Sequence, residues 1–291
     1  MSIIVDENTR VLIQGITGSV GKSFAKKMIE DGTNLVGGIT PGKGGENVFG
    51  IPVFNSIEEA LHRTEANISL VVVPAPFLKD AVLEALYYGI KKMVVYTENV
   101  PVHDEIEIVH YARLKKAILL GPNSPGLASP GKANVSDFNS KYLRKGNIGI
   151  ISKSGTLNYE VIDGLNRAGL GISTFVIIGG DRVPGITYND LLPLFEEDPE
   201  SEAVILGGEI GGMAEIEAIP YIKKMTKPVF AYIAGQAIPQ GKKMGHAGAI
   251  VSEGGEDSAQ AKMKKLKEAG VRIANIVTDI PILLAKHFLN K

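Results

Sequence analysis

A chain of 291 residues, 44% hydrophobic and 22% charged, is long enough for about two soluble globular domains. Its net charge of −1 and pI near 6.5 exclude the basic footprint of a sequence-independent nucleic-acid binder, and no apolar run reaches the about 20 residues that span a bilayer. Without cysteine there is no disulfide, thiolate metal site or cysteine nucleophile, and the N-terminus lacks the basic start and apolar run of a signal peptide, so a reducing cytoplasm is the expected compartment.

Arg10–Gln14 is a short β-rich run, followed at once by Gly15-Ile16-Thr17-Gly18-Ser19-Val20-Gly21. Lys22–Glu30 then reads as a helix with Phe24, Met28 and Ile29 on one face, ended by Asp31-Gly32, and Asn34–Ile39 is a second strand. In this βαβ unit the glycine-rich turn aims backbone N–H groups and the positive helix end at an anion. A fold that holds a ribose by its hydroxyls places an Asp or Glu about 20 residues on. Here the second strand runs instead into Thr40-Pro41-Gly42-Lys43-Gly44-Gly45. A lysine among glycines suits phosphate, so the residues favour a phosphate-rich nucleotide other than NAD.

Ile57–Leu61 predicts a helix and Ile68–Val73 a buried parallel strand, which stops at the stiff loop Pro74-Ala75-Pro76. A helix from Phe77 closed by Gly89, a strand over Met93–Tyr96 ending at Thr97-Glu98, a helix over Val102–Leu114 and a strand over Ala117–Leu120 complete a doubly wound α/β domain. Its loops gather at the C-terminal edge of the strands. His103 and His110 read as solvated or half-buried helix residues rather than a metal pair, because no carboxylate-rich set accompanies them. Residues 127–145, rich in Pro, Gly, Ser and Asn, are expected to link this domain to the next.

The second half restarts with a strand over Gly146–Ile151, then Ser152-Lys153-Ser154-Gly155-Thr156 and a helix from Leu157 to Ala168. Ser154 and Thr156 can cap that helix or donate to a phosphate oxygen. The strand Phe175–Ile178 ends in Gly179-Gly180-Asp181-Arg182, and a helix follows over Asp190–Glu197. The strand Ala203–Leu206 ends in Gly207-Gly208-Glu209-Ile210-Gly211-Gly212. A glutamate flanked by four glycines is placed to orient an imidazole by accepting its ring N–H. A helix over Ala214–Met225 and a strand over Pro228–Ile233 lead to Gly241-Lys242-Lys243-Met244-Gly245-His246-Ala247-Gly248-Ala249-Ile250. Small residues give this imidazole little steric cover, and it can serve as general base, metal ligand or covalent nucleophile. A helix over Ala259–Ala269, a short strand from Val271 and a helix over Asp279–Phe288 close the chain, with His62 and His287 read as solvated.

The motifs GITGSVGK, TPGKGG, VPAP, GPNSPG, ISKSGT, GGD-x-x-PG, GEIGG and GKKMGHAGAI, in this order, resemble the α subunits of succinyl-CoA synthetases (succinate–CoA ligases), from the first residues to about Leu284. The resemblance implies a Rossmann-like coenzyme A-binding domain over 1–125 and a flavodoxin-like, doubly wound ligase domain over 126–291. It assigns coenzyme A to Thr17, Gly18, Ser19, Val20, Lys43, Tyr96, Thr97 and Glu98. It makes His246 the residue that is phosphorylated, Glu209 its hydrogen-bond partner, and Ser154, Gly155 and Thr156 the helix start facing the phosphohistidine. Tyr159 falls at a position of the organic substrate. It further implies a β subunit whose ATP-grasp domain holds Mg²⁺ and ATP or GTP.

That division agrees with the residues themselves. The chain offers phosphate cradles and a nucleophile, yet no Gly-x4-Gly-Lys-Ser/Thr loop for a nucleoside triphosphate. The implied reaction is a relay from phospho-His246 to succinate and then to the coenzyme A thiol, with Lys242 and Lys243 helping to seat the phosphoryl group. Three positions depart from the family pattern: Val20 stands where Gln is frequent, Ser124 where Cys is frequent, and Arg182 where Pro is found. An arginine there suits a further carboxylate, which with Asn134–Asn139 leaves malate or citrate as alternative acids. A coenzyme A-binding regulator without catalysis is the reading from another functional class.

Overall fold

A computed structural model describes residues 3–238, 245–252 and 255–289. The chain divides into two compact units, one formed by Ile4–Asn139 with Val183–Ile186 and the other built on Ser140–Arg182 and Thr187–Lys291.

In the first unit the elements are β1 (Val11–Gln14), α1 (Ser19–Glu30), β2 (Leu35–Ile39), β3 (Asn47–Val48), β4 (Ile51–Phe54), α2 (Ile57–Leu61), β5 (Ile68–Val71), α3 (Leu78–Tyr87), β6 (Lys92–Val95), α4 (Val102–Leu114), β7 (Ile118–Leu120), β8 (Gly126–Ser129) and β9 (Ala133–Ser136). The sheet order is β3-β4-β2-β1-β5-β6-β7, parallel except for β3. Strand β1 pairs with β2 on one side and β5 on the other, so the chain reverses its winding direction at β1. That leaves a crevice at the carboxyl ends of β1 and β5. Both strands are buried along their whole length, as a sheet covered on both faces requires. The core includes Leu12, Val71, Val82, Met93, Ile108 and Leu119, all fully buried. Each such side chain contributes about 1.5–3 kcal/mol from removal of apolar surface from water.

Helix α1 buries Gly21, Phe24, Ala25 and Met28, the i, i+3, i+4, i+7 set of one helical face. Ile29, expected on that face, lies one step round the helix and is exposed. The helix also begins three residues earlier than Lys22, because Gly18 takes the extended cap conformation and Ser19 is already helical. The pair β3/β4 was not read from the sequence.

Residues 127–145, expected to be a linker, instead carry the antiparallel pair β8/β9. Asn134 is buried in this segment: its side-chain amide donates to Asp31 Oδ2 and to Phe138 O, both at 2.8 Å, and its backbone N–H donates to Thr33 Oγ1 at 2.9 Å. The two compact units divide at Asn139/Ser140.

The second unit comprises β10 (Lys145–Ser152), α5 (Gly155–Arg167), β11 (Ile172–Ile177), α6 (Tyr188–Glu197), β12 (Ala203–Glu209), α7 (Ala214–Glu217), α8 (Ile219–Ile222), β13 (Val229–Ala234), α9 (Ala259–Glu268), β14 (Arg272–Ile273) and α10 (Asp279–Leu289). Its parallel strands run in the order β14-β13-β12-β10-β11. This is the flavodoxin-like order, with the switch point between β10 and β12. The single helix expected over Ala214–Met225 is two short helices, since Pro220 has no N–H to continue the first. His287, expected to be solvated, is half-buried with its ring 6.0 Å from that of Phe230; His62, His103 and His110 are exposed. Among the described residues no helix is long and apolar enough to cross a membrane.

Replacing Asn134 with Ala strands buried partners on two segments. It is expected to lower the unfolding free energy by about 1–3 kcal/mol. Chemical denaturation monitored by circular dichroism measures this, and an unchanged midpoint would show that the Asn134 contacts do not hold the β8/β9 pair.

Candidate active site

In the first unit the site grows from the turn between β1 and α1. Gly18 caps α1 with no side-chain hydrogen bond, and the first turn holds no acid. The opening N–H groups of a helix have no intrahelical acceptor and carry the positive end of its dipole. A cavity of about 880 Å³ opens onto them at the switch point, walled by Thr17, Gly18, Ser19 and Val20 on one side and by Val73 and Pro74 on the other. Gly21 permits this arrangement: a Cβ there would stand 2.3 Å from Gly15 O, so a side chain would push α1 off its own turn. Asp80 and Glu84 of α3 also line the cavity. The α1 end of the cavity therefore suits an anion and the α3 end a hydrogen-bond donor.

The remaining expected residues of this unit stand outside the cavity lining. Lys43 is exposed on its loop. That loop is braced by Asn55, whose Oδ1 accepts from the N–H groups of Gly42 at 2.9 Å and Gly44 at 3.0 Å. The role of Asn55 was not read from the sequence; nothing in its own context marks it. A Thr17–Thr40 hydroxyl contact of 3.2 Å ties this loop to the first glycine turn. Tyr96, Thr97 and Glu98 follow β6. The Thr97 hydroxyl donates to Val73 O at 2.6 Å, and the Tyr96 ring packs edge-on to Phe24 with centroids 5.0 Å apart.

In the second unit His246 Nδ1 lies 2.6 Å from Glu209 Oε2. A carboxylate accepts, so in the neutral ring Nδ1 carries the proton and Nε2 the lone pair. The imidazole lies on the backbone of Gly180, where a Cβ would stand 2.5 Å from His246 Cδ2. Gly211, at φ +82, brings the Glu209 loop onto the His246 loop: a Cβ there would meet Gly248 O at 2.3 Å. The Arg182 Nε donates to Ala247 O at 3.4 Å, next to the histidine. The Glu209 hydrogen bond is the main influence on the imidazole and raises its pKa above the ordinary value; burial and Lys153 oppose it, and Asp181 adds to it. Lys242 and Lys243 lie outside the described residues.

Glu209 is itself almost wholly buried, its side chain 5% exposed. Behind it, Glu215 is fully buried and pairs with the fully buried Lys262 at 2.6 Å. Lys153 stands 4.0 Å from Glu209 Oε1 and 3.4 Å from Glu215 Oε1. Breaking one member of such a buried pair costs about 3–5 kcal/mol. Lys153 and Lys262 were not singled out in the sequence. Lys153 lies inside ISKSGT, and a lysine in a strand-to-helix turn was the available signal.

The start of α5 shares this edge of the sheet. Strand β10 ends at Ser152, in register with Gly207 of β12, two residues before Glu209. Ser154 caps α5, its hydroxyl accepting from Leu157 N–H at 3.4 Å, and Gly155 and Thr156 are the first helical residues. Tyr159, one turn on, is 41% exposed.

Residues 6–99 match the family model of the CoA binding domain and residues 151–276 that of CoA-ligase. The chain is 51% identical over 280 residues to the ADP-forming succinate–CoA ligase subunit alpha 1 of Archaeoglobus fulgidus, covering 96% of each. It is 49% identical to the corresponding subunit alpha of Aquifex aeolicus, covering 98% of this chain and 94% of the relative. Among solved structures, that of an ATP citrate lyase from Methanothrix soehngenii in complex with citrate and coenzyme A matches with a TM-score of 0.88 at 25% identity. The match covers 98% of this chain and 50% of that one.

The contact between Glu209 and His246 generates a pH-dependent expectation. A group whose folded pKa is raised adds stability that is fully present below its unfolded value, about 6.5 for histidine, and is lost as pH rises through the folded value. The gap in unfolding midpoint between the wild type and Glu209→Gln should therefore narrow across that window, and an NMR titration of His246 should move downward in the variant. An unmoved titration would remove Glu209 as the cause.

Proposed function

This chain belongs to the succinate–CoA ligase α-subunit family, and on that premise we propose how its residues carry the reaction. The His246–Glu209 contact of 2.6 Å is the observation on which the reading rests. A β subunit with an ATP-grasp domain supplies Mg²⁺, which neutralises phosphate charge, and ATP or GTP. Nε2 of His246 forms a bond to the terminal phosphorus while that phosphorus–oxygen bond breaks and the nucleoside diphosphate leaves. A succinate carboxylate oxygen then takes the phosphoryl group, which breaks the N–P bond and restores the imidazole. The coenzyme A thiolate attacks the acyl carbon of the resulting acyl phosphate; the C–S bond forms and phosphate leaves. Each step exchanges one activated bond for another.

The residues divide the work. Glu209 holds Nδ1–H and so directs the lone pair to Nε2. The N–H groups at the α5 start, with Ser154, Gly155 and Thr156, receive the charge of the phosphoryl group. Tyr159, exposed one turn further on, contacts the acid. Thr17, Gly18, Ser19 and Val20 present the α1 start to the coenzyme A pyrophosphate through backbone groups, since the Val20 side chain donates nothing. Lys43 meets a further phosphate of coenzyme A, and Tyr96, Thr97 and Glu98 receive the rest of the molecule. A chain without cysteine suits the reducing cytoplasm.

Incubation with the β subunit, Mg²⁺ and γ-labelled ATP should give an acid-labile, base-stable label that is lost in His246→Ala. An unlabelled wild type would overturn the reading. Lys43→Ala should raise KM for coenzyme A by about tenfold, the worth of one charge-assisted contact, without changing the labelling rate. A substrate screen should favour succinate over malate and citrate.

A further inference from the structure

Both carboxylates behind His246 are removed from water, so each needs cationic and hydrogen-bonding partners to remain there. Lys262 meets part of that need without freedom to move. Its three ammonium protons face three acceptors: Glu209 O at 2.7 Å, Gly211 O at 2.8 Å and Glu215 Oε2 at 2.6 Å. It thereby fastens the backbone on both sides of Ile210 to α9. Glu215 Oε1, in turn, accepts the backbone N–H of Glu209 at 3.2 Å. Gly208 makes room for this, since a Cβ there would stand 2.9 Å from Glu215 Oε1. The backbone that bears Glu209 is thus fixed from two directions.

The Glu209 side chain needs a separate restraint. One oxygen, Oε2, faces His246, and the other, Oε1, faces Lys153. Lys153 is itself placed by the sheet: its N–H donates to Gly207 O at 3.0 Å, directly after the register pair Ser152 and Gly207. Its ammonium sits between Glu209 and Glu215 with 14% of the side chain exposed.

We propose that Lys153 is a positioning residue for phosphoryl transfer, its ammonium attracting from 4.0 Å the Glu209 oxygen that faces away from His246 so that the other oxygen stays on Nδ1, with Glu215 and Lys262 as the rigid frame. The inference rests on His246 being the phosphorylated residue. Lys153 acts through Glu209 and also through charge. Among the described residues, the titratable and charged groups about the imidazole include Glu209 at the end of β12, Lys153 after β10, Asp181 and Arg182 after β11, and behind them Glu215 on α7, Lys262 on α9, Tyr188 of α6 and Asp257 before α9. Lys153 opposes protonation of the ring. Removing its charge favours the imidazolium, which has no lone pair on Nε2 to attack phosphorus.

The test uses the complex of this chain with its β subunit, Mg²⁺ and γ-labelled ATP, and follows the rate of His246 labelling against pH. Lys153→Met and Lys153→Gln are compared with Lys153→Arg, and whichever neutral variant retains the wild-type circular dichroism suffices. The neutral variant should label more slowly, with the acid limb of its profile displaced to higher pH. At the acid end the loss is about tenfold for each pH unit of displacement. Lys153→Arg should return the limb towards its wild-type position, and KM for coenzyme A should not change in any variant. A loss that Lys153→Arg shares in full, or a wild-type labelling rate in the neutral variant, would overturn the positioning role and leave Lys153 a packing residue. If neither neutral variant folds, the charge-conserving arginine decides: a labelling rate and an acid limb close to the wild type support the role, and a large loss of rate overturns it. A wild type that fails to label would overturn the phosphohistidine reading itself, a result distinct from any change confined to the Lys153 variants.

Discussion

The hydrogen bond from His246 Nδ1 to Glu209 is the interaction on which the rest of the second unit depends. An imidazole on a glycine-rich loop has no preferred direction of its own. At 2.6 Å from a carboxylate whose backbone is tied to Glu215 and Lys262, it acquires one. The ring then has one nitrogen committed to the protein and one presented for chemistry. The surrounding glycines serve the same end. Gly180 supplies a flat surface for the ring, and Gly211 lets two loops approach to van der Waals contact. Side chains at either position would separate the acid from the histidine.

Sheet topology explains why the parts meet at all. Each unit starts winding in one direction from its first strand and then crosses to the other side of it. The crossing opens a crevice at the carboxyl edge, and the helix after the first strand aims its N-terminus there. In the first unit this yields the cavity walled by Thr17–Val20. In the second it sets the α5 start on the same edge as Glu209. One architectural rule thus supplies two anion-receiving helix ends on one chain. The chemistry differs because only the second crevice has an imidazole beside it.

Much of this was legible in the residues. Strand, small-residue turn and helix recur with enough regularity to announce two doubly wound units, and the glycines around Glu209 and His246 marked as candidates two side chains that lie 2.6 Å apart. What the sequence withheld depends on contacts between distant segments. Asn55 braces the Lys43 loop from the bend after β4, and no local pattern signals it. Lys153 and Lys262 read as ordinary lysines, because their meaning lies in the buried carboxylates they meet. The hairpin at Gly126–Ser129 and Ala133–Ser136 resembled a linker by composition, and the contacts of Asn134 with Asp31 and Thr33 after α1 have no local signal. The break after Glu217 is the opposite case, since Pro220 was visible and its effect on the helix should have been expected.

The central claim is that the protein commits Nδ1 and leaves Nε2 to react. Nuclear magnetic resonance of the phosphorylated complex, prepared with nitrogen-15-labelled histidine, tests it most directly, because coupling to phosphorus identifies the bonded nitrogen. Phosphorus is expected on Nε2 of His246, with the proton retained on Nδ1. Phosphorus on Nδ1, or on any other residue, would contradict it.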